Sequence, residues 1–152
     1  ICKPLDIVTV SIIEDKPLKY QPENVLIDCG IFWEKIGTIN INELIEYHEL
    51  EKHDFIFGDT RPYIKEWEIQ NVGHSLVLVE VDNLNIYHPS DKQTKAKFTY
   101  NGYGYNNISV TDPEYYSKPY KFKKAFLVVS LPNTPFHIDN NYYKFIAKVF
   151  PI

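Results

Sequence analysis

The strongest constraint on this chain is how often it is broken. Ten prolines, with turn pairs such as Asp82-Asn83 and Asn101-Gly102, leave only short apolar runs between them. Each run is long enough for a strand and too short for a core helix. Tyr and Phe, 12 and 9 of them, add residues that suit a half-buried pleated surface. The pattern predicts a mostly β protein: an antiparallel β-sandwich or Greek-key barrel of about eight or nine strands with one short helix. No internal repeat or linker interrupts residues 1–152, which read as a single domain.

The individual runs carry this reading. "DIVTVSII" is a first strand with Val8, Val10 and Ile12 on one face. "NVLIDCGIFW" is a second, bent at Gly30. "TININELIEYHELEKHD" is the helix candidate, over roughly 41–53, with Asn40 and Glu43 spaced as a capping box. "YIKEWEIQ" alternates as a strand would. "HSLVLVEV" is apolar on both faces, so it is expected to be central, and "DN" is expected to turn it into the hairpin partner "LNIYH". "AFLVVSL" is another core strand. "YYKFIAKV" predicts Tyr143, Phe145, Ala147 and Val149 inward with Lys144 and Lys148 outward.

Composition narrows the function classes. The formal net charge is −4, and the cluster "KPYKFKK" is short, so no strongly basic face is expected and nucleic acid is a poor default partner. No apolar run reaches about 18 residues, so no membrane span is expected. The chain begins at Ile1 and contains no Met, which suggests a processed, secreted chain. In that compartment Cys2 and Cys29 are expected to form a disulfide, closing a loop of about 27 residues for roughly 3–4 kcal/mol. Asn107 heads an Asn-Ile-Ser sequon and is a candidate glycosylation site.

The strand pattern also carries a resemblance. "YQPENVLIDCGIFWEKIG", "FGDT" and "HSLVLVEVDNLNIYHPSD" follow one another much as strands do in cupredoxin-like domains, with spacing similar to phytocyanins and ephrin ectodomains. The closing "YKFKKAFLVVSLPNTPFHIDNNYYKFIAKV" is similar to the last strands of ephrins. The resemblance implies that fold type without copper. No cysteine follows Cys29 and no Met is present to complete a blue-copper ligand set.

Three candidate chemistries follow. "GHSLVLVEVDN" sets His74 where a cysteine hydrolase would place its base, with Cys29 as nucleophile and Asp82 or Asn83 as orienting partner. Cys29 lies in strand-like sequence, however, without a helix N-terminus to lower its pKa, so His74 is expected to be structural. His48 and His53, with Glu49, Glu51 and Asp54, could suggest a metal. Their five-residue spacing splays the rings, so no metal and no cofactor are expected. The third candidate is aromatic. "YNGYGYNN" and "YYSKPY" place Tyr100, Tyr103, Tyr105, Asn106, Tyr115, Tyr116 and Tyr120 in or beside loops expected to meet at one end of the fold. The resulting expectation is a secreted, non-enzymatic binding module whose Tyr-rich loops contact an extracellular protein or glycan. The alternatives are self-association as a structural protein, or a cysteine hydrolase.

Overall fold

A computed structural model describes all residues, 1–152. Strands β1 (Asp6–Thr9), β2 (Ile12–Asp15), β3 (Val25–Ile27) and β4 (Glu34–Thr38) form two antiparallel ribbons, β1 with β4 and β2 with β3. Helix α1 (Ile41–Tyr47) and the short β5 (Tyr63–Ile64) follow. The remainder is β6 (Leu76–Ser90), β7 (Gln93–Tyr100), β8 (Tyr103–Val110), β9 (Tyr120–Ser130), β10 (Tyr142–Tyr143) and β11 (Phe145–Pro151). The protein is thus mostly β with one α-helix, as the broken apolar pattern requires.

The sandwich alternative does not form. Five strands close into a barrel in the order β11-β8-β7-β6-β9, and β9 returns to β11. Every barrel pairing is antiparallel except β8 with β11, which run parallel and pair only through Phe145↔Ser109 and Ile146↔Val110. The core lies inside this barrel. Val79, Val81, Ile86, Ala96, Ala125, Leu127 and Ile146 are wholly buried there. By contrast, the two ribbons bury no apolar side chain, and within residues 1–40 only Gln21 is buried.

β6 is central, as expected, but Asp82-Asn83 is not its turn. Asn83 takes a left-handed φ of 53°, and the register against β7 slips between Asp82 and Asn85. Asn accepts that conformation more readily than most residues, so the pair makes a bulge that bends the strand without ending it. "LNIYH" therefore continues β6, which pairs with β9 from Leu76 to Ile86.

α1 has the expected capping box. The Asn40 side chain accepts from Glu43 N at 3.0 Å, and Glu43 accepts from Asn40 N at 2.7 Å. The helix stops at Tyr47 rather than near 53. Below Asp82 the edge of β6 has no β7 to pair with, and Leu50 bridges to Leu78 there, with Glu51 N donating to Leu78 O. An unpaired strand edge outweighs another helical turn of Glu and Lys.

Two other expectations are corrected. "YIKEWEIQ" is strand only at Tyr63–Ile64, after which it turns into a 3-10 turn at Ile69–Asn71. The final alternation is inverted: Tyr142, Lys144 and Ile146 point inward, and a bulge between Ile146 and Lys148 then brings Val149 inward. Lys144 is 2% exposed. Apolar residues occupy both faces of this strand, so periodicity alone did not fix its register.

Lys144 is buried because it holds a loop. Residues Phe55–Ile64 pack between β8 and β11, where those strands barely pair. Lys144 Nζ donates to Asp59 O at 2.6 Å and Arg61 O at 2.7 Å, while its backbone N donates to Pro62 O. The Tyr105 hydroxyl donates to Asp59 O at 2.7 Å and accepts from Ile56 N at 3.0 Å. The ammonium also lies 5.1 Å from the centre of the Tyr105 ring. Burial pulls the Lys144 pKa down to about 7, against a smaller upward pull from Asp59.

Two consequences can be measured. In the unfolded chain Lys144 titrates near 10.4. Between about pH 7 and pH 10 the unfolded state therefore binds the extra proton, and stability should rise with pH, by at most about 1.4 kcal/mol per unit. Urea unfolding across that window should show the rise in the native protein and a flatter profile in Lys144→Met. Separately, Tyr105→Phe leaves Ile56 N without its acceptor and should cost about 1–3 kcal/mol in the same assay.

Candidate functional site

The fold assembles a basic face that the linear sequence conceals. "KQTKAK" lies on β7 and "KPYKFKK" leads into β9, and both strands flank β6. Register then sets specific side chains in line. Asn85 on β6 stands opposite Lys97 on β7 and opposite Lys121 on β9. On β8, Asn106 and Asn107 bulge opposite Lys97, with Asn107 at a left-handed φ of 60°. The result is a polar row across four strands, on the outer face of the barrel.

Lys97, Lys121 and Lys123 share one shallow depression with Asn83, Asn85 and Phe122, and no carboxylate lines it. None of these three lysines has an ion-pair partner. One step along the sheet, Tyr87 stands opposite Lys95, whose ammonium donates to Ser109 Oγ at 2.8 Å. Burial lowers the Lys95 pKa. Nearby carboxylates are matched by other lysines: Asp112 and Glu114 pair with Lys148, and Glu80 and Asp82 with Lys124. Such a face can hold a polyanion, with lysines on the backbone, amides free to reach hydrogen-bonding edges, and half-buried Tyr87 as a ring surface.

The tyrosine loops do not form one patch. Asn101-Gly102 closes the β7–β8 hairpin at one end of β8, whereas Tyr115, Tyr116 and Tyr120 follow its other end. Tyr100, Tyr105 and Tyr115 are buried in the core. Burial pushes the Tyr115 hydroxyl up to about 12. Tyr120 packs against Tyr115 and Phe122. Only Tyr103 and Tyr116 are substantially exposed, at 39% and 51%. Inward alternation on β7 and β8 accounts for Tyr100 and Tyr105, and the distance along β8 separates the rest. Asn106 and Asn107 do reach solvent, in a strand bulge rather than a loop.

Cys2 and Cys29 are separate, exposed thiols. Cys2 lies outside the Lys3–Asp6 turn that leads into β1, whereas Cys29 follows Asp28, which bonds to Ser11 beyond the other end of that strand. Cys29 Sγ rests near Ile27 O at 3.9 Å. His74 is engaged elsewhere: its Nε2 lies 3.5 Å from Glu51 Oε2, and its ring packs against Phe57 and His53. Asp82 and Asn83 stand further along β6, and Asp82 faces Lys124. The structure does not bring the proposed Cys29–His74 pair together. Nor do the histidines and acidic residues near α1 form a group able to hold a metal ion.

A closed five-stranded barrel with strand order 1-2-3-5-4, counting from β6, defines an OB-type β-barrel. This chain belongs to the Dual OB-containing domain family, whose model matches residues 1–149. That membership overturns the cupredoxin-like resemblance, which rested on strand order without ligand chemistry. No curated protein and no solved structure matches the chain. No helix is long and apolar enough to cross a membrane.

The placement of the tyrosines and thiols has direct readouts. Tyr116→Ala should change unfolding free energy by less than about 1 kcal/mol, because the ring is half exposed and its hydroxyl bonds only to Thr111 O. Alkylation of the native, unreduced protein should add two groups by intact mass. Retention of an unlabelled pair until reduction would show that the two ends of β1 approach each other in solution.

Proposed function

We propose that this protein is a binding module for single-stranded nucleic acid, held on the outer face formed by β9, β6, β7 and β8. One observation carries the reading: Lys97 and Lys121 flank Asn85 with Lys123 beside them, all unneutralised, in a chain whose net charge is −4. Three ammonium groups kept together without counter-charges repel one another, so an anionic ligand stabilises the arrangement. A row of evenly placed charges across a twisted sheet suits a flexible phosphodiester chain, which can follow the twist. Tyr87 offers a face on which an unpaired base can stack. Oligosaccharides are the other common ligands of such barrels, and the unpaired lysines favour the polyanion.

The expectation of a protein or glycan partner at the tyrosine loops has weaker support. Tyr103 and Tyr116 are its only exposed rings, and β8 separates them. The non-enzymatic character of that expectation is kept in the present proposal.

Fluorescence anisotropy with a labelled oligonucleotide tests the reading. The native protein should bind a single strand more tightly than the matching duplex, and affinity should fall as salt rises from 50 to 200 mM. Lys97→Glu and Lys121→Glu should each weaken binding about tenfold or more and reduce the slope of log K against log salt by roughly 0.7 for each phosphate no longer neutralised. Tyr87→Ala should cost about 1–3 kcal/mol of binding if a base stacks there. Equal binding by native protein and both lysine variants, or no binding even at 50 mM salt, would overturn the proposal.

A further inference from the structure

A second concavity lies on the same side of β6 but at its other end, between α1, the strap that follows it, and the start of the barrel. Its volume is about 540 Å³. Leu44 of α1, Leu50 of the strap, Leu76 and Leu78 of β6, and Val128 of β9 give it an apolar lining. One side is polar and differs in kind from the lysine face. The Glu51 side chain is 3% exposed, and its Oε1 accepts from His53 Nδ1 at 2.7 Å. Its Oε2 accepts from Phe57 N at 3.2 Å and lies 3.5 Å from His74 Nε2. Burial pushes the Glu51 carboxyl up, but the His53 and Phe57 hydrogen bonds outweigh it and hold it below its ordinary value, so it is ionised.

Nδ1 of His53 faces the Glu51 carboxylate, so Nε2 is the nitrogen its ring leaves free. For His74 it is Nε2 that lies toward Glu51, which leaves Nδ1 on the side away from the carboxylate. The two rings are nearly parallel, at 11°, with centres 6.2 Å apart. The polar side is therefore a pair of imidazoles backed by a buried, ionised carboxylate. Formal charge points the same way. Glu49, Glu51 and Lys52 line the concavity, and Lys52 is spent on Glu49 at 2.7 Å.

We propose that this concavity is a binding site for a small amphiphilic amine, its protonated nitrogen against the Glu51-backed imidazoles and its apolar body on the leucine floor. The lining excludes the opposite chemistry. A carboxylate or phosphate head would meet a net negative wall whose one ammonium, that of Lys52, is already paired with Glu49. A wholly apolar molecule would make no use of the imidazole nitrogens or of the carboxylate behind them. A medium-sized aromatic amine matches both the volume and the polarity, in the usual manner of a pocket with an apolar lining and a few placed polar groups. The site is separate from the lysine face and carries the reverse charge preference.

Titration calorimetry on the full chain, with three isosteric probes, decides the matter. The probes are 4-phenylbutylamine, 4-phenylbutanol and 4-phenylbutanoate, at pH 7.5 and fixed salt. The amine should bind at least about tenfold more tightly than the carboxylate, with the alcohol between them. Leu76→Lys places a like charge on the floor at a position already 54% exposed, so folding is kept, and it should abolish amine binding. His53→Ala should weaken the amine about tenfold while the alcohol changes less, and its melting temperature would report any loss of the strap. Failure of all three probes to bind, equal or tighter binding of the carboxylate, or amine binding unchanged in both variants would each overturn the proposal.

Discussion

The carbonyl of Asp59 is the point on which the barrel depends. It accepts from both the Tyr105 hydroxyl and the Lys144 ammonium, one from β8 and one from the residue that precedes β11. These two strands pair through only two residues, which would leave a seam in the wall. Residues Phe55–Ile64 occupy that seam, and Ile56, Phe57 and Ile64 add to the core from outside the five strands. A buried lysine is an expensive fastener, since an ammonium loses its hydration there. It persists because two peptide carbonyls and a ring face replace the lost water. Every buried side-chain nitrogen and oxygen has a hydrogen-bond partner, so the seam is closed without an unsatisfied group.

Barrel closure also separates the chain into charge zones. Past its bulge β6 sets Asn85 between Lys97 of β7 and Lys121 of β9, and at its start it borders an apolar, histidine-lined concavity. Between them Glu80 and Asp82 pair with Lys124. One strand thus runs past a cationic surface, a neutralised stretch and a hollow backed by a carboxylate in succession. The bulge at Asn83 makes this possible by bending β6, so that its two halves face different neighbours. The two N-terminal ribbons stand apart from this arrangement. Phe32, Ile36 and Trp33 remain exposed on them, and neither ribbon has a core of its own.

Much of the local structure was legible in the residues. The capping box at Asn40 and Glu43 is a side-chain reach that depends only on nearby backbone. The Asn101-Gly102 turn is likewise local: both residues take positive φ, at 47° and 77°, and join β7 to β8. Double-sided burial of β6 over Val77–Val79 followed from the run Leu76–Val79 being apolar without alternation, although Leu76 itself stays exposed. Errors arose where two local readings were equally good. Asp82-Asn83 suits a turn or a bulge, and only the continuous partner strand β9 decides between them. "YYKFIAKV" has apolar residues on both faces, and the position of its lysine misled because an ammonium can be buried when carbonyls surround it.

The sequence by itself determined the β class, the helix start, the Asn101-Gly102 hairpin turn and the list of residues able to carry charge, because each depends on neighbours within a few positions. Tertiary structure alone decided that five strands close into a barrel, that Lys97 and Lys121 flank Asn85, and that Tyr105 and Lys144 meet at one carbonyl. It also decided that Glu51 sits between His53 and His74. Apart from the local Glu51–His53 contact, those outcomes join residues about 12 to 85 positions apart in the chain. Such pairings are set by strand order and register, which arise only when all five strands bury their inner faces at once.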